Sequence, residues 1–309
     1  MKYLNIKNKI TNASEISLGM MRISGMELKD IDELVRVALD NGINFFDHAD
    51  IYGGGKSEEV FADAIGMNPS IREKFIIQTK CGIRKGFFDF SKEHILNSVD
   101  GSLKRLKTDY VDVLLLHRPD TLMEPEEVAE AFASLKKSGK VKYFGVSNQK
   151  PYQIELLQKY LNSVDIEIII NQLQLSVAHT GMINSGINVN MTNDNSVNHD
   201  GDILEYCRLK EITIQTWSPF QYGFFEGPFL GNLKKYPKLN EVIDKYAEKY
   251  NVTNSAIAIA WILRHPAKMQ AIVGSTNKTR IAEICKASSI NLAREEWYEI
   301  YLSAGNILP

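Results

Sequence analysis

The chain has 309 residues, 44% of them hydrophobic and 24% charged, an ordinary composition for a globular protein with ample material for a core. A formal net charge of −2 gives no reason to expect nucleic acid or an anionic membrane surface as partner. Residues 1–10 mix lysine and asparagine with few apolar side chains, so neither a signal peptide nor a spanning segment is expected there; three cysteines without metal-ligand spacing (Cys81, Cys207, Cys285) point to a reducing cytoplasm.

Residues 3–10 alternate weakly around Asn8 and predict a short N-terminal hairpin. Residues 16–18 form a brief strand ended by Gly19. Leu28, Ile31, Leu34, Val35, Ala38 and Leu39 share one helical face, which Asn41-Gly42 closes. A second apolar run, residues 43–46, feeds into Asp47-His48-Ala49-Asp50-Ile51-Tyr52 and three glycines, after which Val60, Phe61, Ala64 and Ile65 recur at helical spacing. The period then keeps switching. Strand-like runs at 75–78, 111–116, 141–146, 168–173, 213–217 and 271–273 alternate with helical patterns through Ile95–Leu106, Val128–Leu135, Ile154–Leu161, Ile203–Cys207, Val242–Tyr250, Ala256–Leu263 and Ile281–Ala287.

Eight strands alternating with helices is the count of a closed parallel barrel. The strands are apolar almost throughout, as expected when both faces are covered. The predicted fold is therefore α/β, a single (β/α)8 TIM barrel over residues 1–309, with an N-terminal β-hairpin and extra loops and helices at the C-terminal face. Two stretches break the alternation. Residues 176–201 are rich in asparagine and serine with no clear periodicity, and residues 221–238 carry Tyr222, Phe224, Phe225 and Phe229. Stretches of that length without a period of their own are usually functional or disordered.

Active sites of such barrels lie at the carboxyl ends of the strands, which directs attention to the residues there. In chain order these are Gly19-Met20-Met21, Asp47 to Tyr52, Thr79-Lys80, His117-Arg118, Ser147-Asn148, Gln172, Ser218-Pro219 and Gly274-Ser275-Thr276. A lysine after an apolar strand is costly unless paired, and Asp47 can pair with Lys80. A cation beside Tyr52 would favour the phenolate and make the phenol a readier acid than its ordinary pKa near ~10 allows. His117 can donate a hydrogen bond to a substrate oxygen. His48 is expected to pack rather than react, and His94, His179 and His199 to lie at the surface. A Schiff-base aldolase using Lys80 would share the same fold.

These residues, with Gly42 to Asp47, Ala49 to Gly53, Leu115 to Asp120, Gly139 to Val141, Gly145 to Asn148, Asn171-Gln172, Trp217 to Phe220 and Val273 to Thr276, resemble the aldo-keto reductases over nearly the whole chain and in the family's order. The bacterial YdhF-like branch shares the Asp-His-Ala-Asp-Ile-Tyr-Gly and His-Arg-Pro-Asp runs. The resemblance implies reduction of aldehyde or ketone carbonyls by hydride from NADPH, without metal. It implies Tyr52 as general acid, Lys80 tuning it, Asp47 positioning the lysine and His117 orienting the substrate oxygen. Cofactor residues implied in the same way are Gly19, Met20, Met21 and Asp47; Ser147, Asn148 and Gln172 at the carboxamide; Trp217 stacked on the nicotinamide; Ser218, Phe220, Gln221 and Gly223 over the pyrophosphate; and Gly274, Ser275, Thr276 and Arg280 at the adenosine phosphate. The chain departs from the family where Gly274 stands for a common lysine and Ile284 for a common asparagine. Of the cations there, Arg280 remains, with Lys278 nearby, which keeps NADPH ahead of NADH. The alternative implied by the same fold is a slow-turnover, NADPH-binding redox-sensing subunit. Substrate specificity is expected in the loops 21–28, 84–90, 176–201 and 221–238, with Phe87, Phe88, Tyr222, Phe224 and Phe225 suggesting a partly aromatic pocket. A monomer is the default state.

Overall fold

The computed structural model describes residues 1–309. Chain order gives a hairpin, β1 (Tyr3–Ile6) and β2 (Ile10–Ser14), then β3 (Ile16–Gly19), β4 (Phe45–Asp47), β5 (Ile76–Cys81), a small second hairpin of β6 (Ile83–Arg84) and β7 (Phe87–Phe88), and β8 (Val111–Leu116), β9 (Val141–Ser147), β10 (Ile168–Gln174), β11 (Thr213–Trp217) and β12 (Gln270–Val273). β3, β4, β5, β8, β9, β10, β11 and β12 pair in parallel in that order, and β12 closes back on β3. The eight expected strands are these eight.

Alternation along each strand divides the core. Phe46, Leu114 and Leu116 face outward into a cluster shared with the helices, while Phe45, Val113, Leu115 and Ile170 face the barrel interior. The N-terminal hairpin turns through Lys7 and Asn8, both in left-handed backbone. It delivers Ile6, Ile10 and Ala13 against those inward residues and so plugs the N-terminal end of the barrel. The helices behave as their patterns predict. Leu28–Asp40 buries Ile31, Leu34, Val35 and Ala38. Pro125–Lys137, Pro151–Leu161 and Pro237–Tyr250 each open on a proline, whose missing N–H costs nothing in a first turn.

Residues 176–201 depart from expectation. They hold a helix at Gly181–Ile187 and a 3-10 turn at Asp194–Ser196. Polar side chains add to a short apolar contact made by Met182 and Ile183: Asn306 accepts from Thr180 Oγ1 at 3.0 Å and from Asn184 Nδ2 at 3.2 Å, and Tyr301 donates to Asn184 Oδ1 at 2.8 Å. Two adjacent buried residues are too few to show a helical period. No helix is long and apolar enough to cross a membrane.

Candidate active site

β4 ends at Asp47, and the turn after it carries Tyr52 back over the barrel mouth. That turn, Tyr52–Gly55, places Gly53, Gly54 and Gly55 at φ of 59°, 65° and 91°. A Cβ on Gly53 would also lie 2.4 Å from Ser24 Cβ. Glycine is required here on both counts. Lys80, near the end of β5, is fully buried, and its Nζ lies 2.8 Å from the Asp47 carboxylate, 2.8 Å from the His48 carbonyl oxygen and 3.1 Å from Tyr52 Oη. The Tyr52 and His117 rings meet edge to face with centroids 6.0 Å apart. All four expected side chains converge at one rim.

The electrostatics differ in one respect from the sequence expectation. Burial raises the Tyr52 pKa, Lys80 pulls it down and Asp47 pushes it up, leaving it above the ordinary tyrosine value. The lysine acts in the expected direction, but desolvation of the phenolate outweighs it. Tyr52 is accordingly a fully protonated phenol at neutral pH. For Lys80, burial alone would lower the pKa, but Asp47 and Tyr52 more than offset it, so the amine is held as ammonium. A Schiff-base lysine must be a neutral, approachable amine. Lys80, buried and held as ammonium, is neither, which argues against the aldolase reading. His117 is pushed well below its usual pKa by burial and by the charges of Lys80 and Arg118. Its Nδ1 is buried without a partner. Orphaned buried N–H groups are rarer than under-satisfied acceptors, so the ring proton is assigned to Nε2.

Beneath this rim lies a feature the sequence does not advertise. Four buried glutamines, Gln78, Gln172, Gln215 and Gln270, fill an interior layer that branched apolar residues usually occupy. Gln78 Nε2 donates to Asp47 Oδ1 at 2.6 Å and to Gln215 Oε1 at 2.8 Å. Gln172 Nε2 donates to the same two oxygens at 3.0 Å each. Gln215 in turn donates to Gln270 Oε1 at 2.8 Å, and Gln270 to the Ser14 carbonyl at 2.6 Å.

His48 packs edge-on against Phe61, centroids 4.6 Å apart, with both ring nitrogens buried and unpartnered. Burial, aided by Lys80, lowers its pKa to about 3. Its neutral form therefore stabilises the fold fully above the unfolded value near ~6.5, and that stability is lost as pH falls toward about 3. Asp50, whose carboxyl burial raises to about 7, runs in the opposite sense, so the test is a difference between variants. His48→Leu should gain on the wild type by up to ~1.4 kcal/mol per pH unit below pH ~6.5 in denaturation experiments. Parallel stability curves for the two proteins would refute this account of His48.

Above the rim opens a cavity of about 1130 Å³. Its wall includes Gly19, Met21, Asp47, Tyr52 and His117, then Ser147, Asn148, Gln172 and Trp217, then Ser218, Phe220, Gln221, Gly274, Ser275 and Arg280. Of the expected cofactor residues, Met20, Gly223 and Thr276 are not on it. Met20 is fully buried, because alternation turns it away from the face that Gly19 and Met21 present. Ser147 Oγ donates to the Gln172 carbonyl at 2.9 Å, Asn148 Nδ2 donates to Ser147 Oγ at 2.7 Å, and Trp217 Nε1 donates to Asn148 Oδ1 at 3.1 Å. Phe225 lies roughly parallel to the Trp217 ring at 6.4 Å, and Phe224 meets it edge-on at 6.1 Å. At the far end Asn277 caps the helix Lys278–Cys285 by accepting from Arg280 N at 2.9 Å. Lys278 is paired with Glu33, which leaves Arg280 as the cation on that part of the wall.

Two of the four expected specificity loops reach the cavity, through Met21 and Arg22 and through Gln221, Phe224, Phe225, Pro228, Leu230 and Gly231. The loops 84–90 and 176–201 contribute no wall residue, and neither does Tyr222. Phe87 and Phe88 sit exposed on the β6–β7 hairpin, because a two-residue antiparallel pair holds them away from the mouth. Of the histidines expected at the surface, His199 is exposed, while His94 and His179 are half-buried. Arg22, in the expected loop 21–28, and Arg118, beside His117 at its strand end, also line the cavity.

The Aldo/keto reductase family profile matches residues 15–301. Among curated relatives, the oxidoreductase YcsN of Bacillus subtilis is 36% identical over 93% of each chain. A 6-dehydroglucose reductase of Agrobacterium fabrum is 33% identical over 94% of each, and the oxidoreductase YdhF of Escherichia coli 32% identical over 94% of this chain and 93% of its own. Among solved structures, an aldo-keto reductase from Klebsiella pneumoniae in complex with NADPH superposes with a TM-score of 0.76 at 22% identity, covering 97% of this chain and 93% of that one.

Proposed function

Since the chain belongs to the aldo/keto reductase family, we propose that it reduces aldehyde or ketone carbonyls to alcohols with NADPH, Tyr52 acting as the general acid. The observation that carries this reading is the Lys80 ammonium held between the Asp47 carboxylate and Tyr52 Oη. The name of one relative, a 6-dehydroglucose reductase, is consistent with it.

The wall suits a dinucleotide. A cavity of about 1130 Å³ exceeds the ~300–1,000 Å³ of ordinary small-molecule sites, leaving room for a small carbonyl beside a cofactor. Ser147, Asn148 and Gln172 offer the donors and acceptors a carboxamide needs, and Trp217 offers an aromatic face. Gly274, where an added Cβ would meet nothing, and the capped N-terminus of Lys278–Cys285 suit a phosphate. NADPH, when bound, supplies the hydride. Tyr52 Oη then gives its proton to the carbonyl oxygen as the C=O π pair moves onto that oxygen. Lys80 stabilises the phenolate left behind, and His117 Nε2–H steadies the oxygen as charge develops. Asp47, itself held by two glutamine amides, keeps the ammonium in place.

Quenching of tryptophan fluorescence by NADPH, followed by a carbonyl screen, tests the proposal. Absence of both binding and turnover would end it. The 2′-phosphate is assigned to the Arg280 guanidinium, which forms no ion pair within the chain and presents a bidentate fork. NADPH should bind about 10–100-fold tighter than NADH, from the ~1.5–3 kcal/mol of a charge-assisted hydrogen bond, and Arg280→Ala should erase the difference. Equal affinity of the wild type for the two cofactors would refute the assignment.

A further inference from the structure

The substrate end of the cavity carries positive charge that nothing in the chain neutralises. Arg118 directly follows His117 and is half-buried on the cavity wall. Its guanidinium carbon lies 5.6 Å from the Trp217 ring centroid and 5.3 Å from that of Phe224. No carboxylate acts on it: the influences on its charge are burial, which lowers its pKa, and the Tyr52 phenol. The nearest acid in sequence, Asp120, is engaged elsewhere, accepting from the backbone N–H of Phe90 and of Leu122 at 2.9 Å each. Arg22, on the loop after β3, lines the same cavity, exposed and unpaired. The two carboxylates on the wall are both occupied, Asp47 by Lys80 and Glu283 by Lys286 at 2.7 Å.

A guanidinium lying over aromatic rings keeps its N–H edges free, the arrangement that receives a carboxylate bidentately. Arg118 follows His117, whose ring meets that of Tyr52 at 6.0 Å, and all three line one wall, so an anion bound there would lie beside the carbonyl being reduced. Resting on the reductase reading above, we infer that Arg118, assisted by Arg22, is a specificity residue and that the substrates are carbonyl compounds bearing a carboxylate. The apolar part of such a molecule would lie against Phe224, Phe225 and Ile83.

The test separates this inference from the function on which it rests. Benzoate and benzamide, alike in shape and different in charge, are titrated calorimetrically into the full chain with and without saturating NADP+. Benzoate should bind at least about tenfold more tightly than benzamide. Arg118→Met should bring the two within about twofold, and Arg118→Lys should keep part of the preference. Equal affinities in the wild type, no benzoate binding at millimolar concentration, or a preference that survives Arg118→Met would overturn the inference. So would a pyrophosphate role, in which Arg118→Met weakens NADP+ itself while benzoate shows no advantage. Failure of NADP+ to bind is read from the cofactor titration alone and bears on the reductase proposal, because the benzoate–benzamide ratio is measured without cofactor as well.

Discussion

Replacing Tyr52 with phenylalanine should lower the rate of carbonyl reduction by about 10²–10⁴-fold, the range a positioned general acid contributes, while NADPH affinity stays within about threefold. The substitution removes one hydroxyl and nothing else. Lys80 Nζ loses its 3.1 Å neighbour but keeps the Asp47 carboxylate and the His48 carbonyl, each at 2.8 Å. The ammonium therefore stays satisfied, and the cavity wall proposed to hold the cofactor, at Ser147, Asn148 and Gln172, is untouched. The effect should fall on kcat, since the lost proton transfer belongs to the transition state and not to ground-state binding. Single-turnover stopped-flow measurements of NADPH absorbance on both proteins read this directly. A mutant as fast as the wild type would remove Tyr52 from the chemistry. A wild type that oxidises its cofactor more slowly than it exchanges it, for every carbonyl tried, would favour the redox-sensing subunit instead.

Lys80→Met should cost both activity and the fold. The lysine is fully buried and Asp47 is 2% exposed, so truncation strands a carboxylate in the barrel interior. Breaking a buried pair from one side typically destabilises by about 3–5 kcal/mol, and denaturant unfolding should show a loss of that size. Asp47→Asn in the same chain should recover most of the stability, because the amide needs no counter-ion. It should recover no reduction, because neither the ammonium nor its anchor is restored. Rescue of activity by the double variant would contradict the assigned roles, and an unchanged denaturation midpoint in Lys80→Met would contradict the burial argument.

Both expectations rest on residues readable before any coordinates, for a physical reason. Barrel strands covered on both faces are apolar runs, so the polar residue ending each run stands out. Asp47, Lys80 and His117 each follow such a run, and Tyr52 follows Asp47 by five positions. The features hidden from the sequence depend on register and packing. Gln78, Gln215 and Gln270 lie within or at the edge of strand runs and look like stray polar residues until the closed sheet brings them to one level. Met20 groups with Gly19 and Met21 in sequence, because adjacency hides which face a side chain takes. Arg118 belongs to a legible motif, but its lack of a counter-ion is a tertiary fact. The helix at Gly181–Ile187 escapes a sequence reading because its ties to Tyr301 and Asn306 come from more than 100 residues away.

The amides beneath the rim run in one direction only. A peptide carbonyl cannot donate, so Gln270 must turn its NH2 toward Ser14, and its oxygen is left to receive from Gln215. Gln215 then offers an oxygen to Gln78 and Gln172, which have no choice but to point their remaining N–H groups at Asp47. The Asp47 oxygen that faces these two hydrogens is held in place as their acceptor. The last residue of the N-terminal hairpin, at the closed end of the barrel, thereby helps to fix the orientation of the Asp47 carboxylate at the open end.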